Sequence, residues 1–507
     1  MSHKRLFTLL LLPLILFFAQ CDLSARSLSP FNYGYAQAKS GVERYEILYK
    51  THSEAVKWGV DVDYSGIGRV NLVIPPTAKS IPLTIHTDFS NAVFYVVNEQ
   101  KDLFLFSMVG KAESVKIDKS HLTRCKQYLP ELSGRNVLLS IEDGNPWVEN
   151  RKGYNYGATR RDVIVVKNGR MQNMPVMPYN NAASVPLCSW YPLDTTPKVF
   201  KNINFIRSTD SQYKTFLMQI EGQYNFLVEN VSITTPTSSK NGDTAIKIAN
   251  SAKVRFRDVK IAGTYSQEKK YGYGITMNNV YDVTFKRLTA HAAWGIFGNS
   301  NMQNVLLEDC NINRFDIHCY GRDVVCKNCT FCNLYNQFSS IYGTVRFTKC
   351  QFMNFTPVVI EYSYNAYTGF DLVFQDCFFK VSESSGKNCI VSVGYLDDKV
   401  NSRPELAKKC WPNVKIEGME IQLPSKVDKV YLMRLRENVK YTQPLGYTTD
   451  FVLNDVRFTT DGFRLFSPEL VLTNYELPNR TMLHVSQKKA ARSALRIKDN
   501  ISNRAYR

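Results

Sequence analysis

A short pattern recurs through the middle of the chain and restricts the fold more than any other feature. It runs apolar, any, apolar, any, Asn or Asp, apolar, any, apolar. Copies occupy residues 226–233, 254–261, 283–290, 305–312, 324–331, 345–352 and 372–379. Weaker copies fall at 414–421 and 451–458, with a partial one at 200–205. The marker positions are Asn230, Asp258, Arg287, Asp309, Asn328, Lys349 and Asp376, with successive steps of 28, 29, 22, 19, 21 and 27 residues. Alternation at period two describes a strand with one buried face. Its break at the marker describes a turn between two strands. A unit of this size cannot bury its apolar face alone, so the copies must stack on one another as a solenoid. The unequal steps are then loops inserted at one corner.

This pattern predicts an all-β chain whose core, residues 191–470, is a right-handed parallel β-helix of about ten or more coils. No helical period intervenes between the strands, which excludes ferredoxin-like and Rossmann folds. An ordinary β-sandwich is the alternative that irregular strand spacing also suits. Residues 42–59 predict a helix with Tyr45, Leu48, Tyr49, Ala55 and Val56 as its apolar stripe. Such a helix is expected to plug the first coil, because the open end of a solenoid exposes its core. Residues 40–190 are expected to be this cap and the first coils, with long insertions. Residues 471–507 form a basic C-terminal cap or tail. From 476 onward it holds eight Lys or Arg against two acidic residues.

The N-terminus points to export. Lys4 and Arg5 precede an apolar run over 6–18, followed by Ala19-Gln20-Cys21. Residues 1–21 therefore match a secretory signal, and a mostly apolar run of thirteen residues is too short to span a bilayer. Cys21 is either a lipid-modified first residue or one of the small residues before a soluble-secretion cut. The product is expected in the periplasm, on the outer membrane as a lipoprotein, or secreted, and as a monomer. Export makes nucleic acid an unsuitable partner, although 63 basic against 45 acidic residues leave a net charge of +18. An acidic polymer such as a glycan fits that charge. Cys310, Cys329, Cys350 and Cys377 fall at one point of four successive copies, which predicts an interior ladder of small buried thiols. Cys326-x-x-Cys329-x-x-Cys332 has metal-like spacing, but the repeat sets these residues on different strands, so no metal is expected there.

Residues 313–321 carry the most informative chemistry. Parity sends Phe315, Ile317 and Cys319 to one side and Arg314, Asp316, His318 and Tyr320 to the other. A solvated strand face ordinarily carries Lys, Thr, Ser and Glu, so this outward row is the candidate catalytic site. Stacking adds Tyr335 and Gln337 one copy later, and His291 one copy earlier. Asp243 and Lys247 come three copies earlier, and Arg322 follows the next turn. These are the candidate substrate-binding residues. Glycoside hydrolysis needs two carboxyl groups. Asp316 is one, and Asp243, Asp323 or Glu361 could be the second. Elimination next to a uronate carboxyl group needs a base and a charge-neutralising cation. His318, Tyr320 or Lys247 could be the base, with Arg314 or Ca2+ as the cation. No other cofactor is called for. A surface ion pair with no catalytic task would carry the same residues. In a binding-only solenoid, Tyr335, Tyr342, Tyr362, Tyr364 and Tyr367 would matter more. No phosphate-binding loop and no nucleophile elbow is present.

The repeat, over roughly residues 40–470, resembles the pectate-lyase-like β-helix superfamily, whose members mostly bind, cleave or eliminate polysaccharides. The segments 294–298 and 314–318 look like a motif pair in β-helix proteins of gut bacteria and their phages. The signal sequence and overall style resemble an exported Bacteroidetes glycan-handling protein. The resemblance implies an exported protein acting on an acidic polysaccharide by β-elimination or hydrolysis, or a non-catalytic glycan-binding or surface-structural solenoid. The Ca2+ carboxylate cluster of pectate lyases and the aspartate trio of polygalacturonases have no counterpart here.

Overall fold

The computed structural model describes residues 27–498, leaving out 84–85, 101–102, 146–158, 181, 183, 209, 212–215, 235–244, 263–272, 291–294, 298–299, 318, 333–334, 354–355, 361–368, 384–387, 394–411, 436–449, 461–467, 474–481 and 487–495. The signal segment with Cys21 lies outside the described residues, as do Asp243, His291, His318, Glu361, Tyr362, Tyr364 and Tyr367. Among the described residues no helix is long and apolar enough to cross a membrane.

The repeat is the coil. The first residue of each copy stacks on that of the next: Phe226, Val254, Val283, Val305, Val324, Val345, Leu372, Val414 and Phe451 are parallel partners in one unbroken ladder. All nine are buried. Every marker has a left-handed backbone, with φ from 50° at Asn230 to 57° at Asp309. That conformation costs an ordinary residue about 1–2 kcal/mol, and Asn and Asp tolerate it best. This is why the alternation breaks there. Arg287 and Lys349 are the exceptions, and Arg287 forms two 2.6 Å hydrogen bonds to the stacked Asp258.

Each coil has three faces. The first carries Phe104–Val109, Phe216–Glu221, 246–249, 273–278 and Gly295–Phe297, then a seven-stranded sheet from Asp316–Ile317 to Arg496–Lys498. The second and third lie before and after the markers. Aromatic rings stack between coils inside, as for Phe347 and Phe374 at 5.4 Å. The cysteine ladder is there too. Cys310, Cys329, Cys350 and Cys377 are buried free thiols that donate to interior carbonyls. Burial pushes the Cys377 thiol up to about 12, which leaves it unreactive.

The N-terminal helix α1, Gly41–Trp58, starts at Ser40, whose hydroxyl accepts from the Glu43 amide, and stops at Gly59 with φ 63°. It buries Tyr45, Leu48 and Ala55 as the sequence predicts. Thr51 and His52 complete the buried face, while Val56 is exposed and Tyr49 only half-buried. His52 Nε2 meets the Tyr64 hydroxyl at 2.8 Å beneath the helix.

Two boundaries differ from expectation. The early strand-like runs are coil strands only up to residue 109. Glu113–Val115, Leu187–Pro192, Asn136–Glu142, Arg161–Lys167 and Arg170–Met171 form instead an antiparallel sheet, in that order. A half-buried strand alternates in the same way whichever direction its partner runs, so the sequence could not separate the two. This insert has its own core around Leu129, Leu139, Ile164 and Tyr179. Its other face packs Leu138, Val163, Val165 and Tyr191 on Ala252 of the coil. The C-terminal stretch is not simply a tail: Met482–Ser486 and Arg496–Lys498 continue the parallel ladders.

Candidate functional site

Face one presents the charged row, and local packing explains its direction. Phe315 and Ile317 enter the core, so Arg314 and Asp316 leave the coil interior. The strand Asp316–Ile317 pairs with Asn336–Phe338, putting Asp316 opposite Gln337. Arg314 Nε donates to Asp316 Oδ1 at 2.7 Å, and Nη2 lies 2.7 Å from Oδ2. Nη2 also donates to Gln337 Oε1 at 2.7 Å, and the guanidinium sits 4.8 Å from the Tyr335 ring centre. Asn336 fixes the backbone beside them, accepting from the Phe315 amide and donating to the Pro357 carbonyl. Burial opposes the Arg314 charge, but Asp316 beside it holds the guanidinium above its ordinary pKa. The pair is outward yet sealed, with side-chain exposures of 1% and 0%. The expectation of an open, solvent-facing row is corrected in this respect: parity sets the side of the strand, not what covers it.

Tyr320 departs further. Its φ of 62° puts it in a left-handed column at the corner between faces one and two. The same column holds Gly222, Asn250, Asn279, Asn301 and Ser340. A tyrosine there costs backbone energy, and it reaches where an asparagine cannot. Its hydroxyl donates to Asp162 Oδ2 of the insert at 3.1 Å and accepts from the Met177 amide at 3.0 Å. Asp162 also accepts from the Tyr179 hydroxyl, the Val176 amide and the Gln303 amide. Burial pushes its carboxyl up to about 7. Beside it Arg160 donates to Asp143 and lies over Tyr179. Arg322 donates to the Val176 carbonyl at 3.5 Å. Tyr320 and Arg322 thus belong to the junction between coil and insert, not to the Arg314 cluster. Sequence reasoning missed Asp162. Its only signal was an acid heading the apolar run 163–166.

Arg314, Asp316, Tyr335 and Gln337 therefore meet as expected from stacking. Lys247 is exposed on the same face, in register with Gln219 and Thr276, three coils away or roughly 14 Å at ~4.8 Å per coil. Asp323 turns to the next corner, where Oδ1 accepts from the Thr344 amide. Among the described residues no three His, Cys, Asp or Glu side chains converge on a metal-sized space. Asp316 faces a guanidinium, which is no donor set for Ca2+.

No family model matches the sequence, and no curated protein matches it. Solved structures do match in shape. The tailspike protein gp49 from Pseudomonas phage LKA1 superposes with a TM-score of 0.56 at 14% identity, covering 91% of this chain and 83% of that one. The Gp54 tailspike of Acinetobacter baumannii bacteriophage AP22, solved in complex with A. baumannii capsular saccharide, gives 0.50 at 11% identity, covering 88% and 77%. At such identities the likeness is one of fold, and the fold is the stacked parallel β-helix described above.

Proposed function

We propose that the protein is exported, free or anchored through a lipidated Cys21, and cleaves an acidic polysaccharide laid along face one. The observation that carries this reading is the Arg314–Asp316–Gln337–Tyr335 cluster. A buried ion pair is weak as a stabilising device, since desolvation offsets its Coulomb gain. Its presence on an outer wall favours a functional role. The tailspike structure with a bound capsular saccharide supports a glycan partner for this fold. Elimination suits the row better than hydrolysis, because it combines one carboxylate with a proton-transfer group, His318, and a cation, Arg314. In that chemistry a base takes the proton beside the uronate carboxyl group, the adjacent C–O bond breaks, a C=C bond forms, and the leaving oxygen gains a proton. His318 is the proposed base, Asp316 its positioning residue, and Arg314 the neutralising cation. Tyr320 leaves the list of bases, since burial raises its hydroxyl well above the ordinary tyrosine range.

A panel of polysaccharides, with ultraviolet absorbance and reducing ends followed together, tests this. Both signals should appear for an acidic polymer with wild type, and vanish in His318→Ala with binding retained. Reducing ends without absorbance would replace elimination by hydrolysis. A second reading, binding without turnover, is favoured by the sealing of Arg314 and Asp316. It expects retention on the polymer with neither signal.

A further inference from the structure

The insert has a feature that its docking on the coil does not use. Ser114, Ser189 and Ser140 are cross-strand partners on three neighbouring strands. They share the sheet face that packs Leu138 and Tyr191 on the coil. Ser140 is spent on the coil: its hydroxyl donates to Asn250 and accepts from Asn279, both at 3.0 Å. The Ser114 and Ser189 hydroxyls make no hydrogen bond to a described residue, and both residues line a cavity of about 630 Å3. Glu142 and Lys116 line it too. Glu142 Oε1 is held by Thr159 and Arg161, while Oε2 has no partner among the described residues. Val185 and Leu187 form the rim, 56% and 65% exposed.

We propose that this cavity is an accessory saccharide-binding site, a further contact for the polymer that face one acts on; it rests on the glycan reading above. Two free hydroxyls, a carboxylate oxygen and an ammonium group match sugar hydroxyls and a uronate carboxylate. The apolar rim matches the C–H face of a pyranose ring. The volume is that of a ligand pocket. Its position agrees. Asn250 and Asn279, which anchor Ser140, stand at the corner bordering face one. They lie three and two coils from Arg314, on the order of 10–14 Å along the axis. A chain running down face one would pass this corner before it reaches the cluster.

The test is affinity electrophoresis in gels containing polygalacturonate, alginate, hyaluronan or neutral dextran, alongside the cleavage assays. The proteins are wild type, Ser189→Trp, which fills the cavity, and Lys116→Glu, an exposed change that leaves the fold intact. Both variants should bind the acidic polymer about tenfold more weakly, Lys116→Glu by losing a charge-assisted contact and Ser189→Trp by occupying the cavity. KM for long polymer should rise while kcat stays the same. For Lys116→Glu, as for wild type, mobility in dextran relative to a polymer-free gel should stay unaltered. Wild-type retention or cleavage with no change in either variant would overturn the accessory site and leave the glycan reading standing. Neither retention nor cleavage by wild type would overturn both.

Discussion

Asp162 makes the junction between insert and coil sensitive to pH. Its carboxyl lies in the interface with four donors on it, and burial raises it to about 7. The unfolded value is about 3.9. With the folded value above the unfolded one, the folded state binds the extra proton between these limits. The stability contribution is complete below about pH 4 and is lost as pH rises through about 7. Between about pH 5 and pH 8 the loss is about 2–3 kcal/mol, from about 1.4 kcal/mol per pKa unit and the protons bound by each state. Asp162→Asn keeps the shape and removes the proton. Amide exchange by mass spectrometry over residues 160–180, corrected for the intrinsic pH dependence of exchange, reads the local opening. Wild type should lose protection relative to the variant across that range by the stated amount. A difference that stays flat from about pH 5 to pH 8 would show that the four donors keep Asp162 ionised throughout, and would refute the reasoning.

Other outcomes follow from the same geometry. His52, sealed under α1, is driven down to about 3 by burial, so its contribution is complete above about pH 6.5 and lost as pH falls towards 3. Exchange in peptides over 41–58 should quicken with acid, and His52→Phe should remove that dependence. Arg314→Met alone strands Asp316 and should cost about 3–5 kcal/mol in denaturant unfolding, while the double change with Asp316→Leu should cost little. Phe347→Ala opens the ring stack against Phe331, Phe352 and Phe374, and should lower stability by about 3–5 kcal/mol. Lys349→Asn relieves a left-handed lysine with φ 52° and should raise the melting temperature, with a gain of up to about 1 kcal/mol.

Much of the fold is legible in the amino-acid sequence. The markers Asn230 to Asp376 are the left-handed corners, and the copies between them stack residue on residue. The thiol ladder and the neighbours Asp316–Gln337 and Arg314–Tyr335 followed from the same stacking rule. The insert was less legible, because Asn136–Glu142 and Arg161–Lys167 alternate like any half-buried strand. Only pairing partners distinguish an antiparallel sheet from two more coils. Along the cap helix, His52 took a core position that apolar counting assigned elsewhere.

What the sequence determined by itself is local and periodic: which side of its own strand each residue takes, and where the backbone must turn. Both depend on neighbours a few residues away, or on one repeat length. What covers an outward side chain depends on contacts of any sequence separation, and only the tertiary structure decided it. Tyr320 and Asp162 are 158 residues apart, and their hydrogen bond made a supposed surface residue part of a buried junction. Arg314 and Asp316 are two residues apart on one strand, and no pattern in that strand records that both are sealed. Period-two alternation carries the direction of a side chain, but it carries no information about the layer that lies above it.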